Sequence, residues 1–114
     1  MGFEIQIQIP TKWEMFTSAG NRALTAKATT CANKVARLAR EGRATEANVS
    51  QALTTYLVSW LRSGSCKSTR EANDTAVREC VGDFHDRVWN LLFRQGGSQR
   101  WDAHLAAAYR RLAR

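Results

Sequence analysis

The side chains best suited to bind a metal or to move a proton are Cys31, Cys66, Cys80, His85 and His104, with Glu79, Asp83 and Asp86 beside them. Zinc sites built from Cys and His use short spacings such as CxxC or HxxxH, because neighbouring ligands must converge on one ion. No pair here has such a spacing, so no metal and no cofactor is expected. Cys31 and Cys80 fall on apolar stripes, where a thiol acts as a small hydrophobe. Three widely separated cysteines are an odd number, which fits reduced thiols in a cytoplasmic compartment better than a disulfide framework. Glu79, Asp83 and Asp86 are four and three residues apart, so they share one side of a helix. Such carboxylates can hold a divalent ion or do acid–base work. Arg78, Arg87 and Arg94 are their neighbours, and Asp83 and Arg87 form an i, i+4 pair, which reads as a solvated charged face. His85 is placed on a different side of the same helix. The chain has no GxSxG, GxxxxGK[ST] or GxGxxG motif, so neither an enzyme nor a small-molecule substrate is expected.

The charge is more informative. Seventeen basic against ten acidic residues give a formal +7. Residues 12–43 carry Lys12, Arg22, Lys27, Lys34, Arg37, Arg40 and Arg43 against Glu14 and Glu41, a local +5. Residues 96–114 carry +3, with Arg110 and Arg111 near the end, whereas residues 68–95 sum to −1. At about 100° per residue, Arg22, Lys27, Lys34, Arg37 and Arg40 lie on one side of a helix. A basic ridge of this kind tracks phosphates by releasing their counterions. Thirteen of the seventeen cations are arginines, which make bidentate phosphate contacts that lysine does not.

The elements that must position these groups are mostly helices. A stripe of Trp13, Phe16, Gly20, Leu24, Ala28, Cys31, Val35 and Leu38 predicts a helix over 12–41, opened by Thr11 with Glu14. Gly20-Asn21 offers an alternative break. A second helix is predicted over 46–62, capped by Thr45, with Val49, Ala52, Leu53, Tyr56, Leu57 and Trp60 inward. Ser68 and Glu71 form a capping box for a third over 69–95, whose stripe is Val77, Cys80, Val81, Phe84, Val88, Leu91 and Leu92. Trp89 and Phe93 lie roughly 100° away from that stripe and form a second apolar face, read either as the second buried side of a central helix or as a candidate partner surface. Ser98 caps a last helix over 99–113. The expected fold is mainly α: a four-helix bundle-like single domain, 1–114, with one N-terminal strand. No stretch approaches the ~20 apolar residues of a membrane span.

Phe3, Ile5, Ile7 and Ile9 alternate with Glu4, Gln6 and Gln8 and stop at Pro10. That is the period of a half-buried strand. With no second strand pattern in the chain, its backbone groups need a partner from another copy, another protein or solvent. Pairing with another copy is expected, so that residues 3–9 drive self-association, the alternative being a terminal arm laid over the bundle.

The order FEIQIQI-P-T, helix, Gly-Asn, helix resembles a ribbon–helix–helix DNA-binding module over residues 3–40. The resemblance implies two strands paired across a dimer, with Glu4, Gln6 and Gln8 turned to the major groove. It also requires a helix break at Gly20. The strand followed by ALTAKATTCANKVARLARE is similar to the opening of some phage tail-completion proteins, which implies a role in virion assembly. From charge and pattern together, the expectation is a small basic nucleic-acid-binding accessory factor acting as a homo-oligomer. The alternatives are a virion assembly component and an inhibitor that docks through its basic ridge.

Overall fold

The computed structural model describes residues 18–64 and 66–113, with side chains from Ala26 onward except at 76 and 80. The strand predicted over 3–9, and with it Phe3, Ile5, Ile7, Ile9 and Lys12, lies outside the described residues. Those that are described are mainly helical.

Helix α1 spans Ser18–Arg40 and runs unbroken through Gly20 and Asn21. The break that the ribbon–helix–helix resemblance needs is therefore not made. Nothing in a Gly-Asn pair forbids a helix; Gly costs only about 1 kcal/mol relative to Ala there. Its buried stripe is Ala28, Cys31, Val35 and Leu38, as the spacing predicted, with Ala36 also covered. Gly42, at φ +69°, ends it. The Gly42 amide donates to the Ala39 carbonyl and the Arg43 amide to the Leu38 carbonyl, the paired bonds of a Schellman stop.

Helix α2, Glu46–Arg62, begins at Thr45, whose hydroxyl accepts from the Asn48 amide at 3.2 Å. All six residues predicted inward are buried, and Thr54, Val58 and Leu61 join them. So wide a buried arc marks α2 as the inner helix. It packs against both α1 and the last helix.

The segment predicted as one helix over 69–95 is interrupted. The Ser68 hydroxyl does accept from the Glu71 amide, while the Glu71 carboxylate accepts from the Lys67 amide. Yet helix α3 lasts only from Thr69 to Ala72. After Asn73 and Asp74 the chain re-enters a helix as α4, Thr75–Val77, passes through a π-helical turn, Arg78–Gly82, and continues as α5, Asp83–Phe93. The Asp83 amide donates to the Arg78 carbonyl, five residues back. One extra residue in a turn rotates everything after it by about 100°. Phe84 and Val88 of the predicted stripe stay buried, but the inward arc shifts around the helix: His85 and Trp89, predicted off the stripe, are 0% and 2% exposed, while Leu91, predicted on it, is 51% exposed.

Arg94, at φ +70°, closes α5, and Gly96, at φ +98°, leads into helix α6, Gly97–Leu112. Ser98 does not cap this helix as predicted; its hydroxyl donates to Asp86 Oδ2 instead. Trp101, Leu105 and Ala108, spaced four and three apart on one side of α6, are buried. The core joins Val35, Leu53, Leu57, Trp60, Phe84 and Trp101, all nearly fully covered. No helix among the described residues is long and apolar enough to cross a membrane.

Candidate functional site

The polar contacts fix the directions of the helices around α2. Lys27 of α1 meets Ser59 and Cys31 meets Ala52, so α1 runs antiparallel to α2. Arg100, His104 and Arg111 of α6 meet Glu46, Ser50 and Thr55 in turn, so α6 runs alongside α2 in the same direction.

This arrangement gathers basic side chains from distant parts of the sequence. Lys27 Nζ donates to the Ser59 carbonyl at 2.8 Å, and Arg111 donates to Thr55 Oγ1 at 3.0 Å. Thr55 and Ser59 are four residues apart, so both lie on the half-buried outer stripe of α2. Two cations thus close on that stripe from its two flanks. Lys34 stands exposed on α1 above the same groove. No acidic residue occurs in α1, and α2 holds only Glu46.

The rest of the predicted ridge is divided. Arg37 and Arg43 both bind Glu41, each at 3.2 Å, and the hydrogen bond from Arg37 leads in holding the Glu41 carboxyl below its usual range. Arg40 is exposed and makes no ion pair among the described residues; the same holds for Arg110. Arg22 lies on α1, and its side chain is not described.

Between α1 and α2 the groove holds about 220 Å3. Its floor is the buried Cys31, Ala52 and Tyr56. Burial pushes the Cys31 thiol up to about 12, against the opposing pull of Lys34. At neutral pH Cys31 is therefore a protonated, unreactive floor, not a nucleophile.

A second cluster lies on the far side of α2. The Asp86 carboxylate is 3.0 Å from His85 Nδ1, His85 Nε2 is 2.7 Å from His104 Nδ1, and His104 Nε2 is 3.0 Å from Ser50 Oγ. Asp86 and His85, expected on different sides of the helix, reach each other as sequence neighbours. Between the facing nitrogens only one hydrogen fits. An ionised carboxylate accepts only, so the network assigns every donor in one direction: Ser50 to His104, His104 to His85, His85 to Asp86. Burial, then the repulsion between two imidazoles that cannot both take a proton, then the charge of Arg100, push His104 down to about 4.

Trp89 and Trp101 enclose the two rings. Trp101 stands edge-on to His85 at 5.3 Å, and Trp89 lies 5.5 Å from His104. Trp89 also packs at a tilt against the half-buried Phe93, 4.5 Å between ring centres, with the Arg100 guanidinium over its ring. Trp89 is thus part of the interior, packed against α6, and Phe93 lies half-buried beside it. Trp101 Nε1 donates to Asn73 Oδ1 at 2.9 Å, tying the break before α4 to α6.

The chain from Ser50 to Asp86 resembles a nucleophile–base–acid series, but its parts do not suit acyl transfer. A base held near 4 takes a proton poorly at neutral pH. Ser50 sits inside α2, where neighbouring backbone amides are committed to the helix and none is left for an oxyanion. What the cluster does is tie α2, α5 and α6 together with satisfied buried polar groups.

The chain matches no family model, no curated protein and no solved structure. Its function has to be read from these two clusters alone. The spacing rules missed the histidine cluster because its members come from three helices. The clue in the sequence is Gly96-Gly97, which permits a tight return of the chain between α5 and α6.

Proposed function

We propose that this protein is a small, basic, non-enzymatic nucleic-acid-binding factor that holds phosphates on the face shared by α1, α2 and α6. The observation that carries this reading is that Lys27 and Arg111 converge on one outer stripe of α2 while Lys34 lines the groove beside it, in a region poor in acid. Arg40 and Arg110 add exposed guanidinium groups without ion-pair partners among the described residues. A solvated face that served solubility alone would interleave its charges. Here α1 carries five cations and no acid. We read the helices as one bundle-like domain and residues 3–9 as a strand that pairs with a second copy, because the described residues offer it no strand to join.

Fluorescence-anisotropy titrations with labelled DNA and RNA across a salt series test the reading. Binding should weaken with log–log slope in proportion to the phosphates neutralised. Replacing Lys34, Arg40 and Arg111 together by Ala should flatten that slope by about 2 to 3, since each phosphate contact contributes about 0.7–0.9. A slope unchanged by the triple substitution, or no binding at low salt, refutes the assignment.

A further inference from the structure

The groove between α1 and α2 has two characters at once. Its floor of Cys31, Ala52 and Tyr56 is apolar and buried, and its walls at Ala26 and Thr30 are exposed. Cations stand along its borders: Lys27 with one of its three ammonium hydrogens engaged at Ser59, Lys34 exposed, and Arg111 reaching Thr55. Phosphate binding alone needs no apolar floor. At about 220 Å3 the groove is smaller than the roughly 300–1,000 Å3 that encloses a drug-sized ligand, and so it suits a single planar ring.

We propose that this groove seats one unstacked base of a single-stranded nucleic acid, with the phosphates on either side of that base held by Lys27, Lys34 and Arg111. The inference rests on the nucleic-acid reading above and names the class of nucleic acid. A base inside a duplex is stacked and paired and cannot reach such a groove without being extruded. A single strand presents its bases freely, and each one placed against an apolar or aromatic wall adds affinity that does not depend on sequence. Cations on both flanks match a ligand with repeated charges better than one with a single carboxylate head. The Cys31 thiol, protonated at neutral pH, leaves the floor uncharged and compatible with any base.

The test compares three labelled probes by anisotropy: an oligothymidylate, the same backbone with abasic spacers in place of the thymines, and a duplex of equal length. The strand carrying bases should bind at least about tenfold more tightly than the abasic strand, the scale of base stacking on a protein wall. Ala26→Phe fills the groove from its exposed wall and should bring the oligothymidylate down to the abasic level without changing duplex binding. Thr30→Trp, one turn further along the same α1 wall, gives the same result by a second route. Equal affinity for the two single strands, unaffected by either variant, overturns the base pocket while leaving phosphate binding intact. No affinity for any of the three probes overturns the nucleic-acid reading itself.

Discussion

His104 is where a single residue sets a property of the whole protein. It is 5% exposed and has hydrogen-bonding groups at both ring nitrogens, Ser50 on one side and His85 on the other. Protonation would put a second hydrogen on a nitrogen that the network uses as an acceptor, next to the positive Arg100. The folded chain therefore resists a proton until about pH 4, whereas an unfolded histidine takes one near 6.5. Between those values the unfolded state binds the proton that the folded state refuses, so stability falls as the pH falls. Above the window this group contributes no pH dependence. The loss across it reaches about 3 kcal/mol at most. Urea unfolding at pH 7, 5.5 and 4.5 should show the decline. The His104 ring resonances should show no titration above pH 5, and a His104 that titrated near 6.5 would contradict the buried chain. Cys31 is governed by the same physics with the opposite sign of charge, since burial disfavours its thiolate as it disfavours the imidazolium.

Among the elements, the junction of α5 and α6 is the most constrained. Gly97 is buried, and its amide donates to Asn90 Oδ1. A Cβ at this position would stand 2.7 Å from the Asp86 Cα and 2.8 Å from the Asp86 carbonyl oxygen. Those are backbone atoms, so no side chain can swing aside. Gly97→Ala should separate the two helices, disturb the contacts of Asp86 with His85 and Ser98, and cost about 1–3 kcal/mol, the range for overpacking. Gly42 gives the contrasting case, because nothing lies within 4 Å of its Cβ position; Ala there should cost only its left-handed backbone, about 1 kcal/mol. Thermal unfolding of the two variants side by side separates close packing from backbone strain. An Ala at 97 tolerated better than one at 42 would show that the helices are not in the close contact described.

For the whole molecule, the central question is assembly. The segment 3–9 has an apolar residue at every second position, four in all, and the strand reading calls for a partner outside the described helices. Deleting residues 1–9 should reduce the mass in solution from an oligomer to the single chain, measured by light scattering behind a sizing column. A deletion variant with the same number of chains per particle as the parent would remove strand pairing from the proposal. The deletion bears on affinity as well. A dimer presents two basic faces, and if both engage one nucleic acid, removing the pairing lowers apparent affinity without touching Lys34 or Arg111.

Local signals account for much of the fold. Thr45, Ser68 and Gly42 act at single positions through hydrogen bonds within a few residues, and each starts or stops a helix where its type predicts. The inward faces of α1 and α2 follow from spacing, because an undisturbed α-helix turns by the same angle at every residue. The third predicted helix fails for the same reason. Once a π-helical turn inserts a residue at Arg78–Gly82, the buried arc beyond it takes in His85 and Trp89 beside Phe84 and Val88, and Leu91 drops out of it. Nothing in the local pattern announces that turn. The candidate sites divide likewise. That Lys27, Lys34 and Arg40 share a helix was legible from the sequence. That Arg111, more than seventy residues beyond Lys34, closes on the same stripe of α2 was not, and neither was the meeting of Ser50, His85 and His104. Contacts between residues far apart in the chain depend on which helices lie side by side and in which direction. Only the tertiary packing decides that, because only there do the apolar faces of separate helices compete for the same partners.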